Sequence, residues 1–202
     1  MRIAWMFTLL ACIGWAQGAL QNSEVIYMAG GASSSASIIP GTSAMISGTV
    51  GFATQIGYGY QLKSTRAGNL WLELPMTFTF QGTANISGPI IATIDRNTWF
   101  FTPGVRLKSP TYGRCSFYGS LGGGWGALSK RDSIMNFPNG TVIENYVMDI
   151  RPVFDFAGGI DLRLSRLLSL RAEGRDYVSG ADLGGVSGRN HPVFLGGLVF
   201  HF

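Results

Sequence analysis

The chain has 202 residues, 46% of them hydrophobic and 13% charged, with 29 glycines and a formal charge of +4. So apolar a composition excludes a disordered chain. The Lys and Arg residues are scattered, without the basic block of a nucleic-acid binder, and no segment beyond the amino terminus has the ~18 uncharged apolar residues of a spanning helix.

The first element is an export signal. Met1-Arg2, the apolar run Ile3 to Ile13 and small residues at Gly14, Ala16 and Gly18 describe a signal peptide over residues 1–18. Leu9-Leu10-Ala11-Cys12 also matches a lipoprotein box with Cys12 acylated; Cys12 sits early for that role, and ordinary cleavage near Ala16 or Gly18 is preferred. In the mature domain, residues 19–202, only Cys115 remains, so no intramolecular disulfide is expected.

Eight strands are predicted after it, each by alternation of period two. The first, Glu24 to Ala32, sets Val25, Tyr27 and Ala29 on one face. The second, Val50 to Leu62, opposes Phe52, Ile56, Tyr58 and Tyr60 to Ala53, Gln55, Gly57 and Gly59. The third, Leu70 to Phe80, opposes Leu72, Leu74, Met76 and Phe78 to Trp71, Glu73, Thr77 and Thr79. The fourth, Trp99 to Lys108, sets Phe101, Val105 and Leu107 against Thr102, Arg106 and Lys108. The fifth, Cys115 to Leu128, sets Phe117, Leu121 and Trp125 against Tyr118, Ser120 and Gly122. In the sixth, Asp149 to Arg163, Ile150, Phe154, Phe156, Ile160 and Leu162 oppose Arg151, Asp155, Asp161 and Arg163. In the seventh, Leu167 to Val178, Leu168, Leu170 and Ala172 oppose Ser169, Arg171, Glu173 and Arg175, while Asp176 breaks the pattern near a strand end. The eighth, His191 to Phe202, carries Phe194, Leu198, Phe200 and Phe202 on one side.

The gaps alternate. Ser33–Thr49, Gln81–Thr98, Ser129–Met148 and Ser179–Asn190 are long, whereas Lys63–Asn69, Ser109–Arg114 and the turn at Ser165-Arg166 are short. Pro40, Pro89, Asn139-Gly140 and Gly184-Gly185 place turn chemistry in the long gaps. Repeated alternating segments joined by long and short connections in turn predict an all-β, eight-stranded antiparallel up-and-down transmembrane barrel, in one domain. A soluble lipocalin-like carrier is the rival fold, and it would turn its apolar face inward.

With the alternating strands, the Ser165-Arg-Leu-Leu-Ser-Leu-Arg-Ala-Glu-Gly-Arg-Asp-Tyr177 run and the Phe-terminated last strand, the chain resembles the small outer-membrane β-barrel family of the OmpA membrane domain, OmpX and OmpW. The resemblance implies the outer membrane of a Gram-negative-type bacterium, outer-membrane lipid as surroundings, and Phe200 and Phe202 as a carboxy-terminal signal read by the β-barrel assembly machinery. No OmpA-type periplasmic domain follows, so cell-wall anchoring is not expected. These motifs identify architecture, while fold does not fix activity.

The candidate site is a lumenal charge network of Glu73, Arg106, Arg151, Asp155, Asp161, Arg163, Arg171, Glu173 and Arg175. An eight-stranded barrel is barely wide enough for its own side chains, so a salt-bridge plug is preferred to a gated pore. If strands six and seven turn at Ser165-Arg166, facing residue numbers sum to roughly 331, bringing Asp155 near Arg175 and Asp161 near Arg171. Gly122-Gly123-Gly124 lacks the Lys-Ser/Thr and helix of a phosphate loop and reads as strand glycine. His191 with Ser179, Asp182 and Ser187 offers base, nucleophile and acid close in sequence but matches no enzyme motif. Trp99, Trp125, Tyr58 and Tyr60 read as interfacial girdle residues, and Trp71 as an inward packing residue. The expectation is a monomeric, non-enzymatic barrel without cofactor, metal or nucleic acid, structural or surface-interacting, its surface ligand unnamed by the sequence. A narrow channel is the alternative and a lipid-modifying enzyme the third reading.

Overall fold

The computed structural model describes residues 22–33, 37–38, 45–46, 50–86, 90–136, 141–179 and 190–202. The signal segment and Cys12 lie outside them, as do Pro40, Pro89, Asn139-Gly140, Asp182, Gly184-Gly185 and Ser187. The strands are β1 (Ser23–Ser33), β2 (Ser37–Ile38), β3 (Met45–Ile46), β4 (Val50–Thr65), β5 (Gly68–Ile86), β6 (Ile90–Phe101), β7 (Gly104–Lys108), β8 (Cys115–Asn136), β9 (Thr141–Arg163), β10 (Leu168–Ser179) and β11 (Asn190–His201). β2 and β3 pair only with each other.

The remaining strands close a ring in which every pairing is antiparallel. β1 pairs with both β4 and β11, so the first and last strands meet and no edge is left open. β6 and β7 are two halves of one stave, both pairing with β5 and β8, which leaves eight staves. The interruption falls at Thr102-Pro103, because proline has no amide hydrogen to give the ladder. The glycine run of β8 lies against this break. A Cβ on Gly124 would sit 2.0 Å from the Phe101 carbonyl oxygen, and one on Gly122 would sit 2.2 Å from an Asp155 carboxylate oxygen. These glycines admit the neighbouring backbone and a lumenal carboxylate.

Burial follows parity. Tyr27, Phe52, Ile56, Met76, Leu121, Phe154, Phe156 and Phe194 are exposed on the outside, whereas Glu24, Gln55, Glu73, Arg106, Asp155 and Arg171 are buried inside. An apolar exterior around a charged interior inverts a lipocalin. It suits a barrel with hydrocarbon outside. The chain reverses in short connections at one end of the barrel, at residues 66–67, 109–114 and 164–167. Asn22 and Phe202 lie at that same end: the Phe202 amide donates to the Ser23 carbonyl (2.9 Å), and the Asn22 amide to the Phe202 carbonyl (3.1 Å).

At the other end the structure corrects the gap lengths read from sequence. Gln81–Thr98 is mostly strand, since β5 runs to Ile86 and β6 begins at Ile90. Ser129–Met148 likewise continues the ladder, from Lys130↔Val147 up to Asn136↔Thr141. In these segments the apolar alternation breaks down, so periodicity cannot report them.

Candidate functional site

β10 places Arg171, Glu173, Arg175 and Tyr177 in an inward column, because alternate residues of a strand share a face. Opposite partners come from six other staves and form two clusters stacked along the barrel axis.

The cluster nearer the short turns is built on two guanidinium groups. Arg171 holds Asp161 in bidentate fashion, Nε to Oδ1 at 2.6 Å and Nη2 to Oδ2 at 2.8 Å, and reaches Glu24 Oε1 at 3.2 Å. Arg106 pairs with the same Glu24 oxygen, and Lys108 with Asp161. His201 Nδ1 lies 3.6 Å from Glu24 Oε2, while its Nε2 is 2.8 Å from Ser169 Oγ. The Tyr118 ring lies beneath Arg171, 4.5 Å from the guanidinium carbon, with Arg106 over Trp71 at 5.3 Å.

The second cluster centres on Arg175. It bonds Glu173 (2.8 Å), Glu73 (2.9 Å) and Asp155 through three different nitrogens. The Tyr118 hydroxyl donates to Glu173 at 2.6 Å and joins the two clusters. Gly159 makes room for it, since a Cβ there would lie 2.4 Å from that hydroxyl oxygen. The next lumenal contacts beyond Arg175 are uncharged: Thr77 bonds Gln55 at 2.9 Å, and Phe100 stacks on Tyr177 with centroids 4.1 Å apart.

Seven of the nine residues read from sequence meet here, none more than 4% exposed: Glu73, Arg106, Asp155, Asp161, Arg171, Glu173 and Arg175. Two do not. Arg163 is exposed at the last paired position of β9, donating to the Ser165 and Arg166 carbonyls, and Arg151 pairs with Asp149 (2.9 Å) in a partly exposed position. Both have the inward parity but sit at the two ends of the enclosed section, where water already solvates them. Sequence reading missed Glu24, Lys108 and Tyr118 as network members. Glu24 is hidden because its inward neighbours Ile26 and Met28 are themselves apolar, so parity gives β1 no polar face.

The register between β9 and β10 sums to 332, placing Asp161 directly across from Arg171 and Asp155 across from Tyr177. Arg175 therefore reaches Asp155 diagonally. Of the His191 group, Ser179 is buried at the end of β10 and His191 is half-buried near Phe100, and Asp182 and Ser187 lie outside the described residues. Among the described residues no group of His, Cys, Asp and Glu has metal-binding geometry.

The fold is that of the small eight-stranded outer-membrane β-barrels. Neisserial surface protein A superposes with a TM-score of 0.51 at 14% identity, over 89% of this chain and 97% of that one. Ail, the attachment invasion locus protein of Yersinia pestis, gives 0.48 at 16% identity, covering 90% of this chain and 100% of that one. The outer membrane enzyme PagL gives 0.48 at 11% identity, over 89% and 99%. At such identities the likeness concerns the fold alone. No protein-family model and no curated protein matches the chain.

Proposed function

We propose that the protein is an integral outer-membrane barrel with a structural or surface-interaction role, its lumen closed by the ion-pair network. The observation that carries the reading is the filled interior: Glu24, Arg106, Asp161, Arg171, Glu173 and Arg175 occupy the middle of the barrel and are buried there. The long hairpin supports the surface role. About 9–11 residues suffice for a tilted strand to span a bilayer, and β8 and β9 have 22 and 23. Beyond Trp125 and Met148 the paired segments carry the charged residues Lys130, Arg131, Asp132 and Glu144. Short turns face the periplasm in this class of barrel and the longer connections face outward, so the hairpin is displayed on the cell.

Ion pairs with more than one acceptor can rearrange, and this favours a narrow gated channel as the second reading. Arg171 touches two carboxylates and Arg175 three.

Topology is tested by labelling intact cells with a membrane-impermeant maleimide in a Cys115→Ser background. Ser133→Cys in the hairpin is expected to label and Ser165→Cys in the turn to label only after lysis. Labelling of Ser165→Cys alone in intact cells would invert the barrel, and recovery of the protein as a soluble species would end the reading.

A further inference from the structure

We infer that the short-turn mouth of the barrel is a binding site for a phosphate-type oxyanion. This goes beyond the plugged-barrel reading and holds whether or not the lumen conducts.

A cavity of about 310 Å³ opens at that mouth, lined among others by Lys108, Arg163, Arg166, His201, Asn69 and Trp71. At ~30 Å³ per water, it has room for a phosphate group with several waters. No acidic side chain lines it. The nearest carboxylates lie deeper and are already engaged: Asp161 by Arg171 and Lys108, Glu24 by Arg106 and Arg171. The main-chain carboxyl of Phe202, itself in the lining, accepts the Asn22 and Ser23 amides through one oxygen.

Lys108, Arg163 and Arg166 therefore bring three cationic groups to the opening, set against the single main-chain carboxyl of Phe202. Arg163 is held in place by the turn carbonyls of Ser165 and Arg166. Arg166 is exposed and its side chain has no partner among the described residues. Trp71, 6% exposed, carries an indole N–H with no acceptor among the protein atoms. Guanidinium, ammonium and indole groups are donors only, so their match is a ligand made of acceptors. A guanidinium fork suits the paired oxygens of a phosphate in particular.

The source of the phosphate is either a dissolved ion or a lipid headgroup, and one experiment separates them. The refolded barrel in a phosphate-free maltoside detergent is titrated with inorganic phosphate while the Trp71 indole N–H resonance, assigned by its loss in Trp71→Phe, is followed by NMR. A saturable shift is expected. Arg166→Gln is expected to weaken it about tenfold, the scale of one lost charge-assisted bond. Arg66→Gln, an equal loss of charge on an exposed turn residue outside the cavity, is expected to leave it unchanged. In phosphatidylglycerol nanodiscs without added phosphate, an indole already at its bound position assigns the site to headgroups; an indole at the free position that still answers to phosphate assigns it to dissolved ions. A linear response, the same shift with sodium chloride at equal ionic strength, or equal weakening by Arg66→Gln and Arg166→Gln overturns the site.

Discussion

Arg175 alone faces Glu73, Asp155 and Glu173, and this imbalance ranks the lumenal side chains. Arg175→Ala leaves three buried carboxylates facing one another, whereas Glu73→Gln removes one of three. Breaking a buried pair costs about 3–5 kcal/mol when the site is dry. Arg175→Ala is expected at or above that range and Glu73→Gln well below it, in urea unfolding of the refolded barrel. Equal losses would show that the charges are solvated in place. For Arg171 and Asp161, which face each other directly, the two alanine variants are expected to cost less together than the sum of their separate effects, by about 1–3 kcal/mol. Strict additivity contradicts the pair. Much of this was legible in advance, because β9 and β10 are long enough for charge and apolar parity to separate cleanly. Glu24 was not, for a strand with Ile26 and Met28 inside shows no polar face.

Among the elements, β11 carries the seam of the barrel. Phe202 bonds β1 through its amide, and Phe200 and Phe202 are exposed on the outer parity. Phe202→Asp is expected to reduce assembled barrel in the membrane several-fold more than His201→Gln. A charge near the interface costs little in stability, so the deficit belongs to assembly. His201→Gln is a better control than His201→Asp, which would set a second carboxylate beside Glu24. Equal assembled levels of the two variants would remove the terminal aromatic from the seam. The β8–β9 hairpin is the element the sequence concealed. Its outer half continues the ladder, whereas the stretch from Ser129 to Met148, without period-two alternation, reads as loop. Replacing residues 131–146 by a two-residue Asn-Gly turn keeps the Lys130↔Val147 register. Residues 131–136 also pair with β6, from Asp95↔Arg131 to Ile90↔Asn136, so urea unfolding is expected to show a modest loss, and a loss as large as that of Arg175→Ala would mean that the hairpin carries part of the barrel's stability.

At the scale of the whole molecule, closure makes every barrel strand internal, so detergent alone unfolds it slowly. Unheated protein is expected to migrate differently from boiled protein on a denaturing gel and to fractionate with the outer membrane. Identical migration would speak against a closed ring. Single-channel recording of the refolded protein in planar bilayers decides whether the ring encloses a plug. Wild-type protein is expected to show no sustained conductance, and Arg175→Ala, with the centre of the second cluster removed, to show discrete openings. Stable open channels from wild-type protein, unchanged by Arg175→Ala, would contradict the plug.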